Sequence, residues 1–225
     1  MASAINGPVL AAVRSEPTGR LPLAPPVATG AVPARRLVQR TLSDPLGTLR
    51  IALATTRART ALRSCREVGY GPRLFGRCRL IGASGIQIGE RLLIVGSTVP
   101  CELCTHDGGS LEIGDRVFIN YGSSISAHTL VRIGHDCKIG QHAIILDCDY
   151  HDMEDPLHYG GHGTSLPVVL EQGVWLGARV TVLKGVTIGR SSVVAAGSVV
   201  THDIPPGVLA GGAPARILRR LAFRS

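Results

Sequence analysis

Aromatic residues are scarce in this 225-residue chain: Phe, Tyr and Trp make up 4% of it, and there is a single tryptophan. The core must therefore be built from Val, Ile, Leu and Ala, since hydrophobic residues still reach 44%. That content excludes wholesale disorder. Long apolar runs are missing too. The cleanest stretches resemble Ile51-Ala-Leu-Ala54, far short of the roughly 18 residues that span a bilayer. Carboxylates are nearly absent from the first third. Residues 1–80 carry 13 Arg against Glu16, Asp44 and Glu67, whereas residues 81–225 hold 11 basic and 13 acidic residues. The formal charge of +8 thus belongs to the N-terminal part, and the body need not bind nucleic acid. The N-terminus lacks a secretory apolar core, and Arg35-Arg36 precedes no apolar stretch. Its acid-poor, Arg-containing character only faintly matches a transit peptide. A cytoplasmic location with reduced thiols is expected for the six cysteines.

What is abundant is glycine, 28 residues, in a chain that divides by composition. Residues 1–42 form a Pro/Ala/Arg-rich arm, expected to be disordered. Ser43-Asp44-Pro45 has the form of a helix start, with a capping side chain and proline at the first turn. Leu46, Leu49, Leu53 and Ala54 then recur at helical spacing among Arg50, Arg57, Arg59 and Arg63. Residues 43–70 are read as a basic, partly amphipathic helix and linker that caps the next unit. Its basicity also suits a peripheral membrane contact. Residues 71–206 form the main body and 207–225 a C-terminal tail.

A period of six decides the fold of the body. Counting in sixes from Leu170 gives Leu176, Val182, Ile188, Val194 and Val200, all aliphatic. Four residues after each stand Val174, Val180, Val186, Ser192, Ser198 and Ile204, all small or aliphatic. The same grammar runs through Ile133, Ile139 and Ile145, through Ile113, Ile119 and Ile125, and through Ile88 and Ile94. Six is even, so one strand face returns at each repeat, and short parallel strands can stack as a prism. The register breaks between Ile125 and Ile133 and again after Ile145, where residues 150–166 form a long polar loop. Such loops carry function more often than regular turns do.

These sextets resemble the hexapeptide-repeat acyltransferases. The resemblance continues through Phe118-Ile-Asn120-Tyr-Gly122, Asp147-Cys-Asp-Tyr-His151 and Val174-Trp-Leu-Gly-Ala178. It then runs through Ala195-Ala-Gly-Ser198, Asp203-Ile-Pro-Pro206 and Gly211-Gly-Ala-Pro-Ala-Arg216. Within that family these stretches are most similar to the maltose, galactoside, nodulation-type and polysaccharide O-acetyltransferases. The resemblance covers about half the chain. It implies an all-β, left-handed parallel β-helix, a homotrimer with sites between prisms, and acetyl-CoA as co-substrate without a required metal. The acceptor it implies is a hydroxyl of a sugar, glycoconjugate or small metabolite; an amine acceptor is the alternative.

Acyl transfer needs a base that titrates near neutrality, and histidine is the natural choice. Of the eight histidines, His151 opens the irregular loop and matches the family's catalytic histidine. Asp147 or Asp149 could orient it. Asn120 matches an acceptor-contacting position. His128 stands where the sugar acetyltransferases carry an acceptor-binding aspartate, and Asp149 is a further acceptor candidate. Trp175, Gly177, Ala178 and Ala196 match positions along the thioester and pantetheine. Thr201, Arg216 and Arg219 match positions near the nucleotide, with His202 in place of a family lysine. His135, His142 and His202 are expected on exposed faces or corners. Cys101-Glu-Leu-Cys104-Thr-His106 is a weak zinc motif, expected to lie between coils. A γ-class carbonic anhydrase would need three histidines, from His128, His135, His142 and His151, across a subunit interface. A non-catalytic trimeric scaffold is the remaining alternative.

Overall fold

In a computed structural model, residues 44–152, 157 and 163–222 are described. The Pro/Ala/Arg arm and the loop histidines His158 and His162 lie outside them. Among the described residues one α-helix, α1 (Pro45–Ala61), precedes a stack of short strands. Asp44 caps it by accepting a hydrogen bond from the Gly47 N–H at 2.8 Å, and Pro45 occupies the first turn.

The strands form three flat faces. Face I is a six-stranded parallel sheet running from Glu67–Val68 through Ile86–Ile88, Ser110–Ile113, Leu130–Ile133 and Val168–Leu170 to Thr187–Ile188. Two long strands, Arg73–Ile81 and Leu93–Thr105, bend around an edge and so join faces II and III. Leu93 and Ile94 pair with Phe118–Ile119 on face II, and Glu102–Thr105 pairs with Ser124–Ala127 on face III. Face II continues through Lys138–Ile139, Trp175–Leu176 and Val193–Val194. Face III continues through Ile144–Leu146, Thr181–Val182 and Val199–Val200. The bend is possible because Gly76 lies against Gly96: a Cβ on Gly76, at φ +91°, would meet the Gly96 carbonyl carbon at 2.2 Å.

The sextet residues fill the interior. Leu170, Leu176, Val182, Ile188, Val194 and Val200 are fully buried, as are Ile119, Ile125, Ile133, Ile139 and Ile145. Each stacks on its equivalent one coil away, as Ile139 does on Leu176 and Leu176 on Val194. The narrow bore explains the scarcity of aromatics. Small fifth residues close the edges: Ser192 Oγ donates to the Pro205 carbonyl and Ser198 Oγ to Ala195, both at 2.7 Å. Outside, Arg116 pairs with Asp136 one coil on, at 2.6 Å, and this guanidinium holds the Asp136 carboxyl below the usual carboxylate range.

Four expectations change. Thr98, Thr129 and Asp149 hold the small fifth position of their sextets by the count of six, but they occur where coils are lengthened and do not point inward. Cys101-Glu-Leu-Cys104 is not between coils but on face III, within Leu93–Thr105. Cys101 and Leu103 face the core while Cys104 shares the Glu102 side, so the two thiols point to opposite sides of the strand. His135 is buried, 6% exposed, where its Nδ1 accepts the Asp115 N–H at 2.9 Å. On α1 only Ala54 and Ala58 are buried, while Leu46, Leu49 and Leu53 face outward. The helix does cap the stack, through Ala58 and Leu62 in the common core, and Glu67–Val68 already belongs to face I.

Candidate active site

Two of the three long edges hold most of the candidate residues. The edge between faces III and I holds the lengthened corners. His106, His128 and Tyr150 stand there in successive coils, each 22 residues further on. The rings of His106 and His128 stack at 4.6 Å, and Tyr150 sets its edge against His128 at 4.9 Å. Tyr150 Oη donates to Ser126 Oγ at 2.7 Å. His151 follows directly and is exposed.

Asp147 anchors this edge. It is completely buried, and its carboxylate accepts the N–H groups of His128, Thr129 and Leu130 at 2.7, 2.7 and 2.8 Å. The pattern resembles the satisfied end of a helix, transplanted to a corner. The loop root is a short antiparallel hairpin: the Leu166 N–H donates to the Asp147 carbonyl and the Asp149 N–H to Thr164. Asp149 pairs with Lys184 of the next coil. Both aspartates are thus engaged away from the His151 ring. His128 Nδ1 is buried with no hydrogen-bond partner among the described residues, and Asp147 Oδ1 stands 3.9 Å from it.

The edge between faces II and III holds the other group. Asn120 sits at its corner in one coil, with its Oδ1 accepting the Tyr121 N–H at 2.9 Å. Gly140, Gly177 and Ala196 lie above one another further along. A Cβ on Gly177 would meet the Ala196 nitrogen at 2.7 Å, so the coils touch backbone to backbone. Gly177→Ala should therefore cost about 1–3 kcal/mol by overpacking, read as an earlier thermal melt. Trp175, 52% exposed, stands on face II beside this edge. The final hairpin, Val208–Gly212 with Ala215–Arg220, extends the edge: the Gly212 N–H donates to Ser198 Oγ. Arg216 and Arg219 are exposed on that hairpin. Thr201 and His202 instead sit at the III–I edge, where Thr201 Oγ1 and His202 Nδ1 are 2.8 Å apart.

The candidate set thus separates into His128, Asp149 and His151 on one edge and Asn120, Gly177, Ala178 and Ala196 on another. Ala178 and Lys184 are six residues apart across face III, so the edges lie about 15–20 Å apart. His128 and His151 share the III–I edge, His135 lies between faces I and II, and His142 between II and III. One chain therefore does not gather the three histidines of a carbonic anhydrase. Sequence reasoning missed His106, Tyr150 and Lys184; the recurring 22-residue step was the available signal. Burial pushes the Cys137 thiol up to about 12 and Cys65 up to about 11, so neither offers a thiolate near neutrality.

A prism of hexapeptide coils with a long polar loop at one edge defines the class. Residues 167–202 match the bacterial transferase hexapeptide (six repeats) family. Over about half of its length the chain is similar to hexapeptide-repeat acetyltransferases. It is 36% identical to the galactoside O-acetyltransferase of Escherichia coli over 52% of this chain and 57% of that protein. It is 29% identical to the putative lipopolysaccharide biosynthesis O-acetyl transferase WbbJ of the same organism, over 77% and 88%. A hexapeptide-repeat acetyltransferase of Vibrio cholerae, solved with acetyl coenzyme A, is 25% identical. It superposes with a TM-score of 0.51 over 81% of this chain and 92% of that one. The chain spans little more than half the length of galactoside O-acetyltransferase.

Proposed function

We propose that this chain transfers an acetyl group from acetyl-CoA to a hydroxyl of a sugar, glycoconjugate or small metabolite. The separation of the two residue sets onto different edges of one prism carries the reading. Reaction needs the attacking oxygen within about 3–3.5 Å of the thioester carbon. A homotrimer meets that need by setting the III–I edge of one prism against the II–III edge of its neighbour.

In that cleft, the small residues Gly177, Ala178 and Ala196 let a pantetheine arm lie close to the wall. Trp175 flanks it, and Arg216 and Arg219 supply guanidinium groups for phosphate. Thr201 belongs to this donor set by resemblance and would reach it only from a neighbouring prism. Asn120, His128 and Asp149 position the acceptor. His151 takes the hydroxyl proton as the oxygen attacks the thioester carbonyl. The tetrahedral oxyanion is held by the Ala178 N–H, the C–S bond breaks, and the protonated His151 returns its proton to the CoA thiolate. No acyl-enzyme forms, and the chemistry calls for no metal. The reading places the enzyme in the cytoplasm, where its six free cysteines stay reduced. Peripheral membrane contact through α1 suits a glycan carried on a lipid.

The test is thiol release from acetyl-CoA against a panel of sugars, glycosides and amines. Acceptor-dependent release is expected with at least one hydroxyl acceptor. Release only with amines would move the reading to N-acetylation. Absence of acetyl-CoA binding by calorimetry would overturn it in favour of a scaffold.

A further inference from the structure

We infer that the outer face of α1 is a docking surface for an anionic lipid bilayer. The helix has two apolar faces. The inner one is narrow, and Ala54 and Ala58 rest on the coils. The outer one is Leu46, Leu49 and Leu53, at 73%, 55% and 57% exposure. Positions i, i+3 and i+7 form one stripe along a helix. Three leucines turned outward contribute nothing to the core, so the stripe is open to an occupant from outside the prism.

Charge identifies that occupant. At about 100° per residue, Arg50 and Arg57 flank the stripe on one side, Arg59 lies further round the helix, and Arg63 and Arg66 follow its end at Ala61. No carboxylate occurs between Pro45 and Arg66. Among the described residues none of these arginines takes part in an ion pair. At the helix end Arg59, Arg63 and Arg66 line an open groove with Tyr70 and a single carboxylate, Glu67, which accepts a hydrogen bond from Gln87. A second copy of the helix would bring arginines against arginines. Residues 1–43 carry five Arg and only Glu16, so they too are repelled. An acidic protein would have to match a leucine stripe with carboxylates on both sides. A bilayer supplies acyl depth for the leucines and headgroup phosphates for guanidinium groups on flexible stems, with no shape to match.

The full chain is mixed with vesicles of phosphatidylcholine alone, or with about 30% phosphatidylglycerol, and sedimented at low ionic strength. Binding to the anionic vesicles is expected, weakened at least tenfold by about 0.5 M salt and weak on neutral vesicles. The double variant Leu49→Ser, Leu53→Ser should bind at least tenfold more weakly, with an unchanged melting curve because both side chains already face water. Arg50→Gln with Arg57→Gln should lower binding about fivefold. Failure to bind anionic vesicles overturns the inference. So does undiminished binding of the leucine variant, which assigns the contact to residues 1–43. Sedimentation needs no turnover, so the outcome is independent of the acetyl-transfer reading.

Discussion

His151→Ala is expected to lower acceptor-dependent acetyl transfer at least about a hundredfold while leaving acetyl-CoA affinity within about twofold. The asymmetry follows from the edges. His151 is on the III–I edge, about 15–20 Å across face III from Ala178, so in the proposed trimer its imidazole would meet the donor only in the cleft between prisms. Removing it deletes a proton acceptor without altering the wall along which pantetheine would lie. Thiol release reads the first quantity and calorimetry the second. His128→Ala separates this role from that of its neighbour. His128 stacks on His106 and meets the edge of Tyr150, so its loss should raise the acceptor KM more than it lowers kcat. Transfer that is undiminished in His151→Ala would remove that residue from the mechanism, and a large kcat loss in His128→Ala would make His128 the base. Gly177→Ala should do the reverse of His151→Ala, weakening acetyl-CoA binding about fivefold or more because its Cβ must push Ala196 away.

The inward residues were legible because burial in a stacked coil depends on a period, and Leu170 to Val200 keep that period without interruption. Coils with insertions were harder. Cys101, Leu103 and Leu111 are as deeply buried as any sextet residue, but extra residues on either side of Leu93–Thr105 displace them from the count. For α1 the spacing revealed a leucine stripe but not its direction. Leucine usually outranks alanine for the core, yet close approach of a helix to a flat end favours Ala54 and Ala58, and the leucines were left outside. His135 was misplaced because a histidine after glycine at a corner is ordinarily exposed; here Asp115 of the preceding coil folds over it. At the site, His151 came from motif resemblance. The His106–His128–Tyr150 ladder depends on coil lengths that only the three-dimensional register supplies. Asp147 was noticed for the wrong partner: its sequence neighbour His151 suggested an orienting role, whereas its carboxylate belongs to the corner one coil below.

That corner makes Asp147→Asn the more informative of the two aspartate variants. Asp147 is wholly buried and accepts three backbone N–H bonds from His128, Thr129 and Leu130. An alanine leaves three donors unpaired in a dry corner. An asparagine keeps the volume, and with its oxygen toward Thr129 and Leu130 it turns its NH₂ group on the His128 N–H donor. Each unmade bond of this kind costs about 1–3 kcal/mol, so the asparagine variant should lose about 1–3 kcal/mol and the alanine variant about 3 kcal/mol or more. For a chain of this size the alanine loss corresponds to a melting temperature lower by roughly 6–12 °C. The damage should be local first. The Asp147 carbonyl also accepts the Leu166 N–H, so the residue pins both the His128 corner and the root of the His151 loop. Well below the melting transition, kcat should fall at least tenfold while acetyl-CoA affinity holds, since the donor edge lies a full face away. A merely structural aspartate would leave kcat intact at that temperature. An asparagine variant that melts with the wild type would show that the His128 N–H finds water instead, and the positioning role would go with it.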